Sequence, residues 1–387
     1  MLADTLAGGC DQLVNREGLV AKLTQNRPLR VKLGVDPTAP DIHLGHGVVL
    51  EKLRQFQDAG HEAILIIGNF TALIGDPSGK SVTRPQLTAE EVAYNAQTYQ
   101  DQAFKILSKE RSQIVFNADW LGKMTFTDVI RLNSRVTLQQ ILQREDFRAR
   151  LDEGRPIHTH EIQYPIMQGW DSVMVQADVE LGGSDQLFNN LLGRELQKQM
   201  GQEPQIVLTM PILEGLDGKN KMSKSLGNYV ALNEPASSIF GKLMSISDEL
   251  MARYYYLLLH EKLPAETHPM EAKKRLAEIL AARYNDAAQA RAAREDFETR
   301  FAKRDLDHAD LPSFATNAEA GRDIISLVVE AYRQCFSVTK SRSDVRRLVE
   351  GGSVQWCGEK VCDPKYDLPA GQSGVLKLDK TRAVRLH

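Results

Sequence analysis

The stretch from Leu29 to Ile67 limits the choice of fold more than any other part of the chain. Leu29, Val31, Leu33 and Val35 alternate with Arg30, Lys32, Gly34 and Asp36, and a period of two puts the two sets on opposite faces of a β-strand. Pro37 and Pro40 stop that strand, because proline has no N–H to give to a ladder. Asp41 is placed to cap a helix running to about Ala59. Ala63 to Ile67 is then a continuous apolar run between His61-Glu62 and Gly68, the pattern of a parallel strand buried on both faces. Strand, helix and strand in this order predict a right-handed βαβ unit whose ligands lie beyond the carboxyl ends of the strands. The predicted class is α/β, with a Rossmann-like parallel sheet.

The first strand and the opening of its helix span Lys32 to His46, KLGVDPTAPDIHLGH. A helix N-terminus presents unpaired N–H groups and positive partial charge, so it stabilises a polyphosphate before any side chain acts. His43 and His46, three apart, share one side of that first turn. Gly45 carries no Cβ and lets a base or ribose come close to the backbone. Two histidines at this spacing also serve as ordinary capping or surface residues, so the rest of the chain must decide between the two readings.

A chain of 387 residues with 42% hydrophobic content is long enough for two or three domains with buried cores. No apolar run approaches the roughly 20 residues of a membrane span. The N-terminal MLADTLAGGCDQLV lacks the basic-then-apolar layout of a secretory signal, which makes the cytoplasm the expected location. Cys10, Cys335, Cys357 and Cys362 form no CxxC pair and no histidine flanks the last two, so reduced thiols are expected and no zinc or other metal ligand set. A net charge of −3 gives no global attraction to nucleic acid, so DNA is not an expected partner and RNA binding would need a local patch.

Residues 10–26 read as an amphipathic helix ahead of the first strand. After the second strand, GDPSGKS at 75–81 has only three residues between Gly75 and the Gly79-Lys80 pair, one short of a P-loop, and Pro77 removes an N–H the cradle would use. A loop supplying Asp76, Lys80 and Arg84 as side-chain ligands fits better. Residues 88–109 and 126–150 read as helices, separated by a strand at Gln113 to Phe116 and the tetrapeptide Asn117-Ala118-Asp119-Trp120. In YPIMQGWD, Pro165 suits a first helical turn, and Tyr164, Gln168 and Asp171 at i, i+4 and i+7 fall on one stripe. In a pocket such a stripe binds a small polar ligand; at the surface it is only a solvated face. A strand at Ser172 to Ala177 and the turn Gly182-Gly183-Ser184-Asp185-Gln186 follow. The loop GKNKMSKSLG at 218–227 carries Lys219, Lys221 and Lys224, either solvated or able to close on a polyphosphate.

After Pro235 the chain turns to Ala-, Leu-, Arg- and Glu-rich helices over roughly 236–303, then loop-like sequence from Asp305 to Gly321. In the last module SRSDVRRLVEGG predicts a basic helix from Ser343 to Gly351, followed by short strands. Arg342, Arg346, Arg347, Lys360, Lys365, Lys377, Lys380, Arg382 and Arg385 outnumber the nearby acids, which suggests a surface for RNA backbone.

HLGH at 43–46 and KMSKS at 221–225, in this order on a nucleotide-binding-like fold, resemble the two signatures of class I aminoacyl-tRNA synthetases. DPT at 36–38, GDPSGK at 75–80, YPIMQGWD and GGSDQ narrow the resemblance to the bacterial tyrosyl-tRNA synthetases, over essentially the whole chain. The resemblance implies a catalytic Rossmann-like domain at 1–235, an α-helical anticodon-side domain and linker at 236–321, and an S4-like α+β RNA-binding domain at 322–387. It implies activation of L-tyrosine with ATP and Mg²⁺, transfer to the 3′ end of tRNA(Tyr), and a homodimer. Asp36, Thr38, His43, Gly45 and His46 would contact ATP or the amino-acid ammonium. Lys80, Arg84, Lys221 and Lys224 would surround the leaving pyrophosphate. Met222 would lie against adenine, and Gly183, Asp185 and Gln186 would hold the ribose and reacting carboxylate. Tyr164, Gln168 and Asp76 would bind the ammonium with Thr71 and Asn117 nearby, and Asp171 would accept from the phenolic hydroxyl. Arg342, Arg346 and Arg347 would contact tRNA. Lys32 stands where the better-known branch has a tyrosine that also contacts the substrate hydroxyl, so it belongs among the tyrosine-binding candidates. The alternatives are an enzyme for another aromatic amino acid, a tRNA-independent adenylyltransferase, or an inactive RNA-binding relative.

Overall fold

Why a strand bearing Lys32 lies at the centre of a buried sheet is answered by its neighbours. In the computed structural model, which describes residues 2–78, 88–263, 266–299, 311–315, 323–368, 373–379 and 382–387, the first six strands are β1 (Gln12–Val14), β2 (Arg30–Val35), β3 (Glu62–Ile67), β4 (Ser112–Phe116), β5 (Val179–Gly183) and β6 (Ile206–Met210). They form one sheet in the order β1-β6-β5-β2-β3-β4. Every pairing in it is parallel except that of β1 with β6. Val31 and Leu33 are buried on one face of β2, and on the other Lys32 is buried as well, paired with Glu180 from the adjacent β5. From β2 the chain builds outward through β3 and β4, then returns to the other side of β2 for β5 and β6. The strand order therefore reverses between β2 and β5, and at such a switch point the connections diverge and leave a crevice at the carboxyl ends.

Local chemistry explains where the elements depart from expectation. The helix after β2 runs Leu44–Asp58 with His43, not Asp41, as its N-cap residue. His43 N–H donates to His46 Nδ1 at 3.4 Å. Residues 10–26 hold the edge strand β1 before a shorter helix, Arg16–Leu23. Ser172 to Ala177 is not a strand: the Gln163–Met174 helix continues through its first half and β5 begins at Val179. The β-branched residues there suggested a strand, and the charge of Glu180 hid the real one. Residues 126–150 are broken into Phe126–Asn133, Leu138–Ile141 and Glu145–Asp152, the first two opened by capping boxes at Thr125 and Thr137.

The chain divides into two units, Met1–Ala287 and Ala288–His387. The helices Ala236–Met244, Asp248–Tyr254 and Pro269–Tyr284 belong to the first. The second unit holds the helices Ile324–Phe336 and Arg342–Glu350 and a sheet of β7 (Ser313–Phe314), β8 (Gln355–Trp356), β9 (Glu359–Lys360), β10 (Gly374–Lys377) and β11 (Ala383–Leu386), in the order β7-β11-β10-β8-β9. Its core includes Val328, Tyr332, Val349, Trp356, Leu376 and Val384. The stretch 305–321, expected to be loop, supplies β7, which pairs in parallel with β11. No described helix is long and apolar enough to cross a membrane.

Candidate active site

A cavity of about 630 Å³ opens at the carboxyl ends of the strands, where β2 and β5 separate. β2 delivers Asp36 into it, and β3 is followed at once by Gly68, where a Cβ would lie 2.1 Å from Asp36 Oδ1. Only glycine leaves room for the carboxylate there. Asp36 accepts hydrogen bonds from Thr71 Oγ1 at 2.7 Å and from the Tyr164 hydroxyl at 2.9 Å.

The stripe of Tyr164, Gln168 and Asp171 faces this cavity. Asp171 is 3% exposed and accepts from Asn117 Nδ2 at 3.2 Å and Trp120 Nε1 at 2.8 Å. Burial pushes its carboxyl up to about 6, and Lys32 and the two donors oppose that rise. Asn117 also donates to Thr71 Oγ1 at 3.0 Å. A second chain of amides stands on the β5 side: Asn189 Nδ2 donates to Gln168 Oε1 and to Gln186 Oε1, each at 2.9 Å, and Gln186 Nε2 donates to Asp76 Oδ2 at 2.9 Å.

At the opposite end the two signature segments meet. Leu44 N–H donates to Val230 C=O at 3.0 Å and Leu232 N–H to Ile42 C=O at 2.8 Å, tying the strand-like tail of the lysine loop to the start of the HLGH helix. A Cβ on Gly45 would lie 3.0 Å from the His43 ring and 3.6 Å from Met222 Cβ. Lys221 Nζ lies 3.6 Å from Asp185 Oδ2. Lys224 Nζ has no hydrogen-bond partner among the described residues and sits 5.6 Å from the Tyr99 ring centroid. Burial pushes Lys224 down to about 8. The His43 and His46 rings are 4.0 Å apart. Burial, with Lys224 and Lys221 adding to it, pushes His46 down to about 4, and burial, His46 and Lys224 hold His43 far below its usual range. Both histidines are therefore neutral near pH 7 and act as hydrogen-bonding groups, while the lysines bring the positive charge.

Asp36, Thr38, His43, Gly45, His46, Thr71, Asp76, Tyr164, Gln168, Asp171, Gly183, Asp185, Gln186, Lys221, Met222 and Lys224 all line the one cavity. Two tyrosine-binding candidates do not. Asn117 stands behind Thr71 and Asp171, and Lys32 lies behind the wall with its ammonium engaged by Glu180 at 2.7 Å, Ser172 Oγ at 2.7 Å and the Gln168 carbonyl at 3.1 Å. Lys80 and Arg84 lie outside the described residues. Trp120, Asn189, Arg144 and Asn228 were missed. Trp120 carried a signal, since an indole N–H taken even partly out of water needs an acceptor. Arg144, 4% exposed, donates to Asn189 Oδ1 at 2.9 Å and Ser78 Oγ at 2.8 Å, partners too distant in sequence to announce themselves.

Residues 24–302 match the family described as tRNA synthetases class I (W and Y). The tyrosine–tRNA ligase of Geobacter metallireducens is 50% identical over 382 residues, covering 96% of this chain and 93% of that protein. That of Desulfotalea psychrophila is 47% identical over 393 residues, covering 98% and 96%. The crystal structure of the tyrosyl-tRNA synthetase complexed with L-tyrosine from Archaeoglobus fulgidus is similar with a TM-score of 0.60 at 23% identity, over 76% of this chain and 98% of that one. A C-terminally truncated mitochondrial tyrosyl-tRNA synthetase from Aspergillus nidulans gives 0.63 at 20% identity, over 77% and 93%. At that identity the structures speak for the fold; the near full-length relatives and the matched residues speak for descent, and the chain belongs to the class I tRNA synthetases for tryptophan and tyrosine.

Proposed function

We propose that the protein is a tyrosine–tRNA ligase, which joins L-tyrosine to ATP as tyrosyl-adenylate with release of pyrophosphate and then passes the tyrosyl group to the 3′ end of tRNA(Tyr). The observation that carries this reading is that both signature segments and the Tyr164-Gln168-Asp171 stripe line a single cavity. Asp171 accepts from the substrate phenol. Asp36, Tyr164, Gln168 and Asp76 receive the ammonium, with Thr71 and Asn117 orienting them. Gly183, Asp185 and Gln186 hold the ribose and the carboxylate, and Met222 lies against adenine. The substrate carboxylate is its own nucleophile, so rate enhancement comes from aligning it with the α-phosphate and from stabilising charge that moves onto pyrophosphate. His43 and His46 donate hydrogen bonds, and Lys221 and Lys224, with Lys80 and Arg84, carry the compensating charge. Among the described residues no group of three or more His, Cys, Asp or Glu side chains is placed to hold a metal. Mg²⁺ bound to the polyphosphate would share the charge that these side chains stabilise.

The second unit suits an S4-like RNA-binding role. The helix Arg342–Glu350 buries Val345 and Val349 and leaves Arg342, Arg346 and Arg347 exposed, with Arg342 steadied by Asp323 at 3.1 Å. A homodimer is supported by Phe126, Ile130 and Leu138, which are 80%, 53% and 55% exposed on neighbouring short helices, an apolar face that a second copy would cover. The working location is the cytoplasm, where tRNA is charged.

ATP–pyrophosphate exchange measured with each of the twenty amino acids tests the reading: exchange with tyrosine alone is expected. Exchange with another aromatic residue, or none with tyrosine, overturns it.

A further inference from the structure

Behind the tyrosine end of the cavity lies a charged group that the reaction does not touch. Lys32 and Glu180 are register partners on the parallel strands β2 and β5. They are 0% and 1% exposed, and neither lines the cavity. The Lys32 ammonium has three donors and uses all of them: Glu180 Oε1 at 2.7 Å, Ser172 Oγ at 2.7 Å and the Gln168 carbonyl at 3.1 Å. Glu180 Oε2 accepts from Ser172 Oγ at 3.0 Å and from the Gln205 amide. Gln168 and Ser172 bracket Asp171 within one turn of its helix. The cation thus grips the backbone and side chain of the turn that aims Asp171 into the cavity. A buried ion pair adds little net stability compared with well-packed apolar residues, so its position beneath a recognition carboxylate points to an electrostatic task.

We propose that Lys32, oriented by Glu180, is a positioning residue for amino-acid recognition, holding the Gln168–Ser172 turn against β2 so that Asp171 meets the substrate hydroxyl. This rests on the reading of Asp171 as the phenol acceptor. The groups facing Asp171 come from three elements: Lys32 on β2, Glu180 on β5, and the neutral donors Asn117 and Trp120 following β4. Asp36 connects to them through Thr71 and Asn117. Burial raises Asp171, Lys32 opposes the rise and Glu180 adds to it. Tyrosine binding therefore weakens as pH falls through about 6, because the protonated carboxyl no longer offers a charged acceptor. Removing Lys32 moves that midpoint up, and removing the charge of Glu180 moves it down. A part played only in folding would produce no such opposed movement.

The test is tyrosine- and phenylalanine-dependent ATP–pyrophosphate exchange by the full-length protein against pH, for the wild type, Lys32→Met, Glu180→Gln and the apolar double variant Lys32→Met/Glu180→Leu. The Lys32→Met midpoint is expected about one pH unit higher, which below both midpoints is about a tenfold rise in the KM for tyrosine. The preference over phenylalanine falls in step, and the KM for ATP and kcat stay level. Glu180→Gln is expected to lower the midpoint, and the double variant to lie between the wild type and Lys32→Met. Midpoints of the two single variants that move in the same direction overturn the inference, as does a double variant with the wild-type midpoint and KM. A double variant that cannot fold also overturns it, because the pair then belongs to the fold. Asp171→Asn separates the two claims. If it keeps tyrosine preference, the reading of Asp171 fails; if it loses that preference while the Lys32 and Glu180 variants match the wild type, only the present inference fails.

Discussion

Lys224 lines the same cavity as His43 and His46. Its ammonium has no hydrogen-bond partner among the described residues, so its charge is available to an incoming polyphosphate. Lys224→Ala is expected to slow adenylate formation on the order of a hundredfold, the usual loss for one transition-state donor; single-turnover adenylation measures this, and an unchanged rate would remove Lys224 from the mechanism. The depressed value near 8 gives a second expectation. Above that pH the free protein loses the charge, so the KM for ATP should climb as pH rises through about 8. An arginine in its place stays charged, and Lys224→Arg should flatten the climb. His43 and His46 have values held well below neutrality, so their protonation should leave no inflection in the ATP KM between pH 6 and pH 8.

At the scale of the element, the KMSKS loop is organised by Asn228. This side chain is 7% exposed. Its amide donates to Asp217 Oδ2 at 3.1 Å and the Lys221 carbonyl at 3.2 Å, and its Oδ1 accepts from Ser223 N–H at 2.8 Å. Asp217 in turn accepts from Asn220 Nδ2 at 2.9 Å and from the N–H groups of Lys219 and Asn220, each at 3.1 Å, and these bonds, that of the Asn220 side chain first, hold its carboxyl down to about 2. A Cβ on Gly215 would stand 2.3 Å from Asn228 Cγ, which requires glycine there. Asn228→Ala leaves Ser223 N–H without its acceptor, a local cost of about 1–3 kcal/mol. The expected result is faster proteolysis within the loop and a raised KM for ATP, with the KM for tyrosine unchanged. Gly215→Ala should do the same by expelling the Asn228 side chain. Unaltered proteolysis in both variants would show that the loop is held by other means.

At the scale of the molecule, the proposed division of labour between the two units can be tested by where the chain is cut. Because β7 at Ser313–Phe314 pairs with β11, a chain cut after Gly321 would strand one edge of the second sheet; a cut after Ala287 respects the observed division. The shortened chain is expected to retain tyrosine-dependent exchange and to lose tRNA charging, measured side by side with the full chain. Retained charging would make the arginines of the Arg342–Glu350 helix an ordinary solvated face. For the proposed homodimer, Phe126→Asp with Ile130→Asp should halve the sedimenting mass, since a charge in a buried interface costs far more than one in water; an unchanged mass would show that this face joins no second copy.

The βαβ unit, the two signature segments and the polar stripe were legible in the sequence, because periodicity, helix starts and residue chemistry belong to contiguous stretches. The alternation from Leu29 to Asp36 and the run from Ala63 to Ile67 became β2 and β3 in register. Elements whose identity depends on distant partners were not legible. β1 exists because β6 pairs with it, and β5 is a strand despite Glu180 because Lys32 neutralises that carboxylate across 148 residues of chain. Trp120 meets Asp171 over 51 residues, and Arg144 meets Ser78 over 66. By itself the sequence determined the chemistry on offer and the fold that could present it. Which buried charges face each other was decided only by tertiary structure, since the low-dielectric interior makes a charge's role depend on what packs against it.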